Sequence, residues 1–337
     1  MKKTMGIMGL VLMSWLGTAP AQADFNDKAP ITVTTTGSVP TGFFGVVVES
    51  LHAIYREAYP GSTVTLQPNS VGGGMLAITS GKADISIGLP PVEVQRGLAG
   101  EEPFKEPLKG KLFHVMTILN DLDFYFIANK EWADRNKIAT FADFAKAKPK
   151  VRYGASNPAT FYVNVVMEHI FKEYGYSFKD LDAWGGRTYY VASGTRLDDL
   201  RDGKIDAMSS AGLSPDRRVQ EISKNMPLVW LKTDPEVLRK VAKDLDMQVI
   251  PVKAGTYDFL TEDTFSMRAP TVMAAGPHVS EETVYKIVKA VHQNIERFRV
   301  IHPTYANVTL ADLARPSARL PYHPGAARYY REQGLLK

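Results

Sequence analysis

The 337-residue chain has no cysteine, which excludes disulfides and thiolate chemistry. Its 40 Lys and Arg against 36 Asp and Glu give a formal charge of +4, which drops to +2 once Lys2 and Lys3 are set aside. A chain so near neutrality is not built around nucleic acid.

Residues 1–23 read as a secretory signal peptide. Lys2 and Lys3 make a basic start, Met5 to Leu16 is an apolar run, and Ala21-Gln22-Ala23 is a small-x-small cleavage site. The run is short for a membrane span of ~20 residues. No Cys follows it to take a lipid anchor. Cleavage after Ala23 would export a protein beginning at Asp24, long enough for two lobes of ~100–150 residues.

The exported part opens on a strand, Ile31 to Thr34, followed by a turn rich in glycine and hydroxyls: Thr36, Gly37, Ser38, Thr41 and Gly42. Phe44, Val47, Val48, Leu51, Ile54 and Tyr55 then recur at helical spacing. Such a strand–turn–helix unit can hold an anion. The first N–H groups of the helix are unsatisfied, its dipole favours negative charge, and the hydroxyls add donors. Taken alone, the turn is also an ordinary N-capped connection. Two more turns follow in the same style. Ser62 to Gln67 is a strand that ends in Asn69-Ser70-Val71-Gly72-Gly73-Gly74, before a helix from Met75 to Ser80. Ile85-Ser86-Ile87 is a strand that ends in Gly88-Leu89-Pro90-Pro91. In an open α/β sheet such turns gather at the carboxyl edge, where ligands bind.

Gly100 to Gly110 reads as a surface loop. Leu112 to Leu119 and Phe124 to Ala128 read as strands separated by Asn120-Asp121, and Thr140 as the N-cap of a helix. The opening theme then recurs in strand Val151 to Tyr153, turn Gly154-Ala155-Ser156-Asn157-Pro158-Ala159-Thr160 and helix Phe161 to Tyr174. A second echo is Gly203-Lys204-Ile205-Asp206 before Ala207-Met208-Ser209, against Gly81-Lys82-Ala83-Asp84 before Ile85-Ser86-Ile87. Loop 209–214, with Gly212, then matches loop 88–91, with Leu89. These echoes imply two similar α/β lobes. A strand at Leu228 to Leu231, a helix at Pro235 to Asp244, a strand at Met247 to Val252 and a strand at Thr271 to Ala275 follow. The chain crosses between lobes near 120–128 and 268–275, a hinge with a cleft. The tail is helical over Glu281 to Phe298 and from Thr309 onward. The expected division is lobe 1 at 24–122 and 273–337, lobe 2 at 123–272.

These residues resemble, in order along the whole exported chain, the TAXI-type solute receptors of tripartite ATP-independent periplasmic (TRAP) transporters. The likeness runs through Thr36-Gly37, Gly42-Phe43-Phe44, Ser70-Val71-Gly72-Gly73, both Gly-Lys-x-Asp stretches, Gly154-Ala155-Ser156 to Thr160, Ile250-Pro251 with Gly255-Thr256-Tyr257, and the tail Tyr322-His323-Pro324-Gly325-Ala326-Ala327-Arg328-Tyr329-Tyr330. The resemblance implies a type II periplasmic binding protein fold and a monomeric receptor that needs no cofactor. Such a receptor would pass a small anionic solute to an ion-coupled TRAP permease subunit. It also implies a cleft lined by Thr36, Ser38, Gly42, Phe43, Ser70, Gly72 and Gly73 on one side and Ser156, Asn157, Thr160 and Tyr257 on the other. Gly37, Leu89 and Gly212 complete the candidate set. Two stretches depart from the family: Ser156-Asn157-Pro158-Ala159-Thr160 stands for its usual Gly-Ser-Gly-Thr, and Leu89-Pro90-Pro91 for Gln-Ser-Asp. The receptor role carries over; the family's usual glutamate or related dicarboxylate does not carry over by itself.

Arg187 is a candidate charged partner for the solute, although a solvated surface arginine is the plainer reading. Phe43, Phe44 and Phe161 could wall the cleft or serve as core. The same fold also serves ABC importers and sensory systems, which stand as the alternative. Enzymatic features are missing from the sequence. The seven histidines fall in no metal spacing, and Ser156 lies in no G-x-S-x-G elbow.

Overall fold

The computed structural model describes residues 28–37, 43–68, 71–157 and 162–337. The signal peptide and its cleavage site therefore lie outside the described residues. The chain begins β1 (Thr32–Thr36), α1 (Phe43–Ala58), β2 (Thr63–Leu66), α2 (Val71–Thr79), β3 (Ile85–Leu89) and α3 (Pro91–Ala99). β1 runs parallel to β2 and β3. α1 forms where the apolar spacing predicts a helix, and it buries Val47, Val48, Leu51, Ile54 and Tyr55. α3 is not foreseen above, although Pro91 at its first position is a recognised helix start.

A 17-residue strand follows, β4 (Phe113–Asn129), then α4 (Lys130–Asn136), α5 (Phe141–Ala147), β5 (Arg152–Ser156), α6 (Tyr162–Glu173), α7 (Phe178–Ala183), β6 (Arg187–Val191), α8 (Ser193–Arg201) and β7 (Ala207–Gly212). Thr140 caps α5, its hydroxyl accepting the Asp143 N–H. The chain closes with α9 (Arg217–Ser223), β8 (Leu228–Trp230), α10 (Pro235–Asp244), β9 (Gln248–Val252), β10 (Thr264–Ala275), α11 (Glu281–Gln293), α12 (Ile295–Arg299), α13 (Leu310–Leu313) and α14 (Pro324–Glu332). Among the described residues no helix is long and apolar enough to cross a membrane.

The sheet runs β2-β1-β3-β10-β4-β7-β5-β6, with β8 on β4 and β9 on β10. Each half is three parallel strands, β2-β1-β3 or β6-β5-β7, flanked by antiparallel segments of β10 and β4. β4 pairs with β10 over Phe113 to Asp123 and with β7 over Asp123 to Ala128. The two strands expected around Asn120-Asp121 are thus one. Register shifts around Ala269, Thr271 and Val272 absorb the polar break while the ladder continues on either side. β4 and β10 pass from one half to the other at these positions, within the stretches where crossings were expected.

The Gly-Lys-x-Asp echo is a structural repeat. Gly81 and Gly203 take φ +73° and +68°, the left-handed conformation that stops α2 and α8. The aspartate then tethers the neighbouring strand. Asp84 Oδ2 accepts the Thr34 N–H at 2.7 Å and Asp206 Oδ2 accepts the Arg152 N–H at 2.8 Å. The Asp84 and Asp206 N–H groups donate in turn to the carbonyls of Thr34 and Arg152. The same four-residue device fixes β3 against β1 and β7 against β5.

The tail is structural. His323 is buried; its Nδ1 accepts the Gly325 N–H that opens α14, and its Nε2 lies 3.0 Å from the Val279 carbonyl. The Tyr330 hydroxyl donates to the Val115 carbonyl at 3.0 Å, which pins α14 to β4.

Candidate functional site

In the first half, β1 ends at Thr36, which is fully buried, and Gly37 follows at φ +87°. A Cβ on Gly37 would fall 2.5 Å from the Ile87 carbonyl oxygen and 2.7 Å from Ser86 Oγ. One on Gly74 would fall 2.5 Å from Ser86 Oγ and 3.0 Å from Gly37 Cα. Two absent side chains therefore let the end of β1, the first turn of α2 and β3 touch. Gly72 and Gly73 lie in that first turn of α2, and buried Leu89 ends β3. Phe43 opens α1, half-buried, with its ring 6.1 Å from Tyr305 and 5.2 Å from Phe44. The hydroxyls of Thr36 and Ser86 are buried and without a hydrogen-bond partner. Buried hydroxyls are normally paired, so orphans at a βα turn are a mark of a binding site.

In the second half, β5 ends at Ser156. Its N–H donates to Asn164 Oδ1 at 2.8 Å, and Asn164 Nδ2 donates back to its carbonyl at 2.8 Å, so the first turn of α6 grips the strand end. Arg196, near the start of α8, donates from Nη1 to Ser156 Oγ at 2.5 Å and from Nη2 to Ser210 Oγ on β7 at 3.2 Å. Arg196 is 2% exposed, its Nε has no hydrogen-bond partner, and among the described residues no carboxylate pairs with it. Burial lowers its pKa, opposed by the phenols of Tyr162, Tyr125 and Tyr153. Ser209, which precedes Ser210 on β7, points to the other face of the sheet, where its hydroxyl meets Tyr153.

The network extends outward. The Tyr125 hydroxyl meets Ser210 and donates to Asp216 Oδ2 at 3.0 Å, and the Tyr257 hydroxyl accepts the Asp216 N–H at 2.9 Å. Tyr257 is buried against Trp230 and Phe259, so it bears on this group through Asp216 and Tyr125. Gly212 lies opposite Asp123 in the β4 ladder, where a Cβ would come within 3.2 Å of Asp216 Oδ2. Asn157 continues from β5, its N–H donating to the Val191 carbonyl at 3.2 Å.

The two turns meet. Glu93 in the first turn of α3 accepts the backbone N–H of Tyr162, the first residue of α6, on Oε1 at 3.3 Å. Tyr162 packs against the cores of both halves, its ring 6.1 Å from Phe124, and feels both Glu93 and Arg196 electrostatically.

Of the expected site residues, Ser38, Gly42, Ser70 and Thr160 lie outside the described residues, as does Phe161. Thr36, Gly37, Gly72, Gly73 and Leu89 fall at strand ends and helix starts of the first half. Ser156, Asn157 and Gly212 fall at the corresponding strand ends of the second. Arg187 is exposed, with its guanidinium 5.1 Å above the Tyr189 ring. The buried arginine is Arg196, not singled out above. Its signal was present: Ser193-Gly194-Thr195-Arg196 follows a strand, in the same glycine-and-hydroxyl style as the other turns. Glu93 carried no comparable signal. A guanidinium flanked by hydroxyls suits a carboxylate. Among the described residues no three His, Cys, Asp or Glu are placed to hold a metal ion.

Comparison with known proteins gives the family and the fold. The model of the NMT1-like family matches residues 34–334. Among solved structures, the periplasmic binding protein BugD is 13% identical with a TM-score of 0.51, covering 90% of this chain and 94% of BugD. Malate-bound MatC of Rhodopseudomonas palustris is 13% identical, also with a TM-score of 0.51, covering 82% of this chain and 88% of MatC. At such identities the likeness establishes the fold, the mixed α/β type II fold of periplasmic binding proteins, with its two crossings.

Proposed function

The chain belongs to the NMT1-like family, and on that premise we propose that it is a solute receptor of the periplasm that binds a small carboxylate-bearing acid. The observation that carries this reading is Arg196. A guanidinium held in the interior without a counter-charge is costly. A solute carboxylate reaching its free Nε would supply the missing partner, and the orphan hydroxyls of Thr36 and Ser86 would complete the cradle. Malate, bound by MatC, belongs to this class of acid.

The two halves of the sheet act as lobes, residues 24–122 with 273–337 and residues 123–272. The lobes close over the solute because some contacts exist only when both touch it. Order along the chain and the His-Pro-Gly-Ala tail support assignment to the TAXI-type receptors. The monomeric, exported receptor would then deliver its solute to a TRAP permease, with no chemistry of its own. Ser38, Gly42, Phe43, Ser70, Thr160 and the neighbouring turn residues named above would line the cleft.

A thermal-shift screen against dicarboxylates, 2-oxo acids, amino acids, aromatic acids and sulfonates tests the reading. A solute that binds only the folded state raises its Tm, and a response confined to carboxylates is expected. If no anion shifts the Tm and no small acid is released on denaturation, the receptor reading fails. Ser156→Ala is expected to weaken the responding acid by ~1–3 kcal/mol in calorimetry, because a ligand oxygen loses a hydroxyl donor. Unchanged affinity would move the site elsewhere.

A further inference from the structure

Glu93 is a titratable side chain between the two meeting turns that carboxylate binding leaves without a task. It is fully buried, and its Oε2 has no hydrogen-bond partner. Its Oε1 is held by the Tyr162 N–H. Among the described residues no cation pairs with it. α2 carries no titratable side chain, and the only one on β10 is Arg268, which is bound to Asp123. On α6, Glu168 pairs with Arg96 of α3, His169 Nδ1 lies against the Val165 carbonyl, Glu173 pairs with Lys240, and Lys172 is exposed. That leaves Tyr162, whose phenol burial itself pushes up to about 12.

We propose that Glu93 reads the far end of the solute, presenting its free Oε2 as a hydrogen-bond donor. The receptor then accepts acids whose second polar group is an acceptor, such as a keto oxygen, a hydroxyl or a second carboxylate, and turns away those with an ammonium there. This inference rests on the receptor reading above. Its physical basis is the isolation of the carboxyl. Burial without a counter-charge pushes Glu93 up to about 8, so it keeps its proton at neutral pH. Oε1 is the oxygen that accepts from Tyr162, which leaves the O–H on Oε2. The other free groups of the candidate site, Arg196 Nε and the hydroxyls of Thr36 and Ser86, are also donors or can serve as donors. An ammonium needs several acceptors and would find few.

The sign of the pH dependence follows. If the solute binds the acid form, affinity is flat below about pH 8 and falls by about tenfold per unit above it.

The test is calorimetric titration of the receptor with matched probes, malate against aspartate and 2-oxoglutarate against glutamate, in wild type, Glu93→Gln and Glu93→Leu. We expect the oxo or hydroxy acid to bind at least about tenfold tighter than its amino partner. Glu93→Gln, a neutral isostere that keeps a donor, should hold affinity within about threefold and lose the fall above pH 8. Glu93→Leu should lose about tenfold or more while its circular dichroism and Tm show a folded protein. Tighter binding of the amino acids, abolished by Glu93→Gln, would overturn the inference and leave the receptor reading standing. Equal binding of the oxo acids by wild type and Glu93→Leu would do the same. Failure of all four probes, with no small acid released on denaturation, would overturn both.

Discussion

Arg196→Met is expected to lose at least about 100-fold in solute affinity while leaving the Tm of the ligand-free protein unchanged or raised. The two effects have opposite signs for one reason. Arg196 is 2% exposed, bonded to Ser156 and Ser210, and has no carboxylate partner among the described residues. Without ligand, its charge sits in the interior at a desolvation cost that two hydroxyls only partly offset, and an unbranched apolar side chain removes that cost. Ser210 keeps its contact with Tyr125, and the Ser156 hydroxyl can rotate. With ligand, truncating one member of a buried, hydrogen-bonded charge pair costs about 3 kcal/mol or more, which is about two orders of magnitude in Kd. Calorimetry with the acid that responds in the screen, beside thermal unfolding without it, reads both quantities. Full affinity in Arg196→Met would remove the carboxylate site. A large drop in Tm would mean that the arginine serves the fold instead.

Gly325→Ala should produce the largest loss of stability from a single methyl group, about 3 kcal/mol. That corresponds to a fall in Tm of roughly 4 °C for a chain of this length. The first turn of α14 lies on the first turn of α11. A Cβ on Gly325 would sit 2.1 Å from the Glu281 carbonyl oxygen and 2.7 Å from the Tyr285 nitrogen. Both are backbone atoms of a helix, so neither can rotate away as a side-chain tip could. α14 must lift, which strains the Tyr330 anchor to β4 and the His323 cap. Differential scanning calorimetry measures the shift, and a Tm within about 1 °C of wild type would show that the helices part without cost. Solute affinity of the folded fraction should be unchanged, since α14 lies apart from the meeting turns.

Much of the site's scaffold was legible in the residues. Thr36-Gly37 announces the end of β1 because glycine and small hydroxyls are what a tight βα turn tolerates. Gly154-Ala155-Ser156 and residues 209–212, read above as turn and loop, instead continue β5 and β7, because their pairing with β6 and β4 extends those strands. The Gly-Lys-x-Asp echo announced a repeat, and the structure gives its aspartates a shared task in tethering the neighbouring strands. α3 was overlooked because Pro90-Pro91 reads first as a turn, although proline is equally at home at the first position of a helix. β4 was read as two strands because Asn120-Asp121 is a local signal, whereas strand continuity is decided by the partner β10.

The sequence by itself determined much of the α/β order, the turn after β1, the stretches where the chain crosses between halves and the helical tail, though not α3, α4, α7, β6 or α9. These follow from local periodicity and turn chemistry, which act over a few residues. Only the tertiary structure decided which charged groups are buried and what they face. Arg196 and Arg187 are both arginines in polar segments, yet one is enclosed by β5, β7 and α8 and the other lies in solvent over Tyr189. Glu93 looks like any first-turn helix glutamate until the start of α6 closes over it, 69 residues further along the chain. Burial and the absence of a counter-charge are properties of packing between distant segments, so no local pattern of residues encodes them.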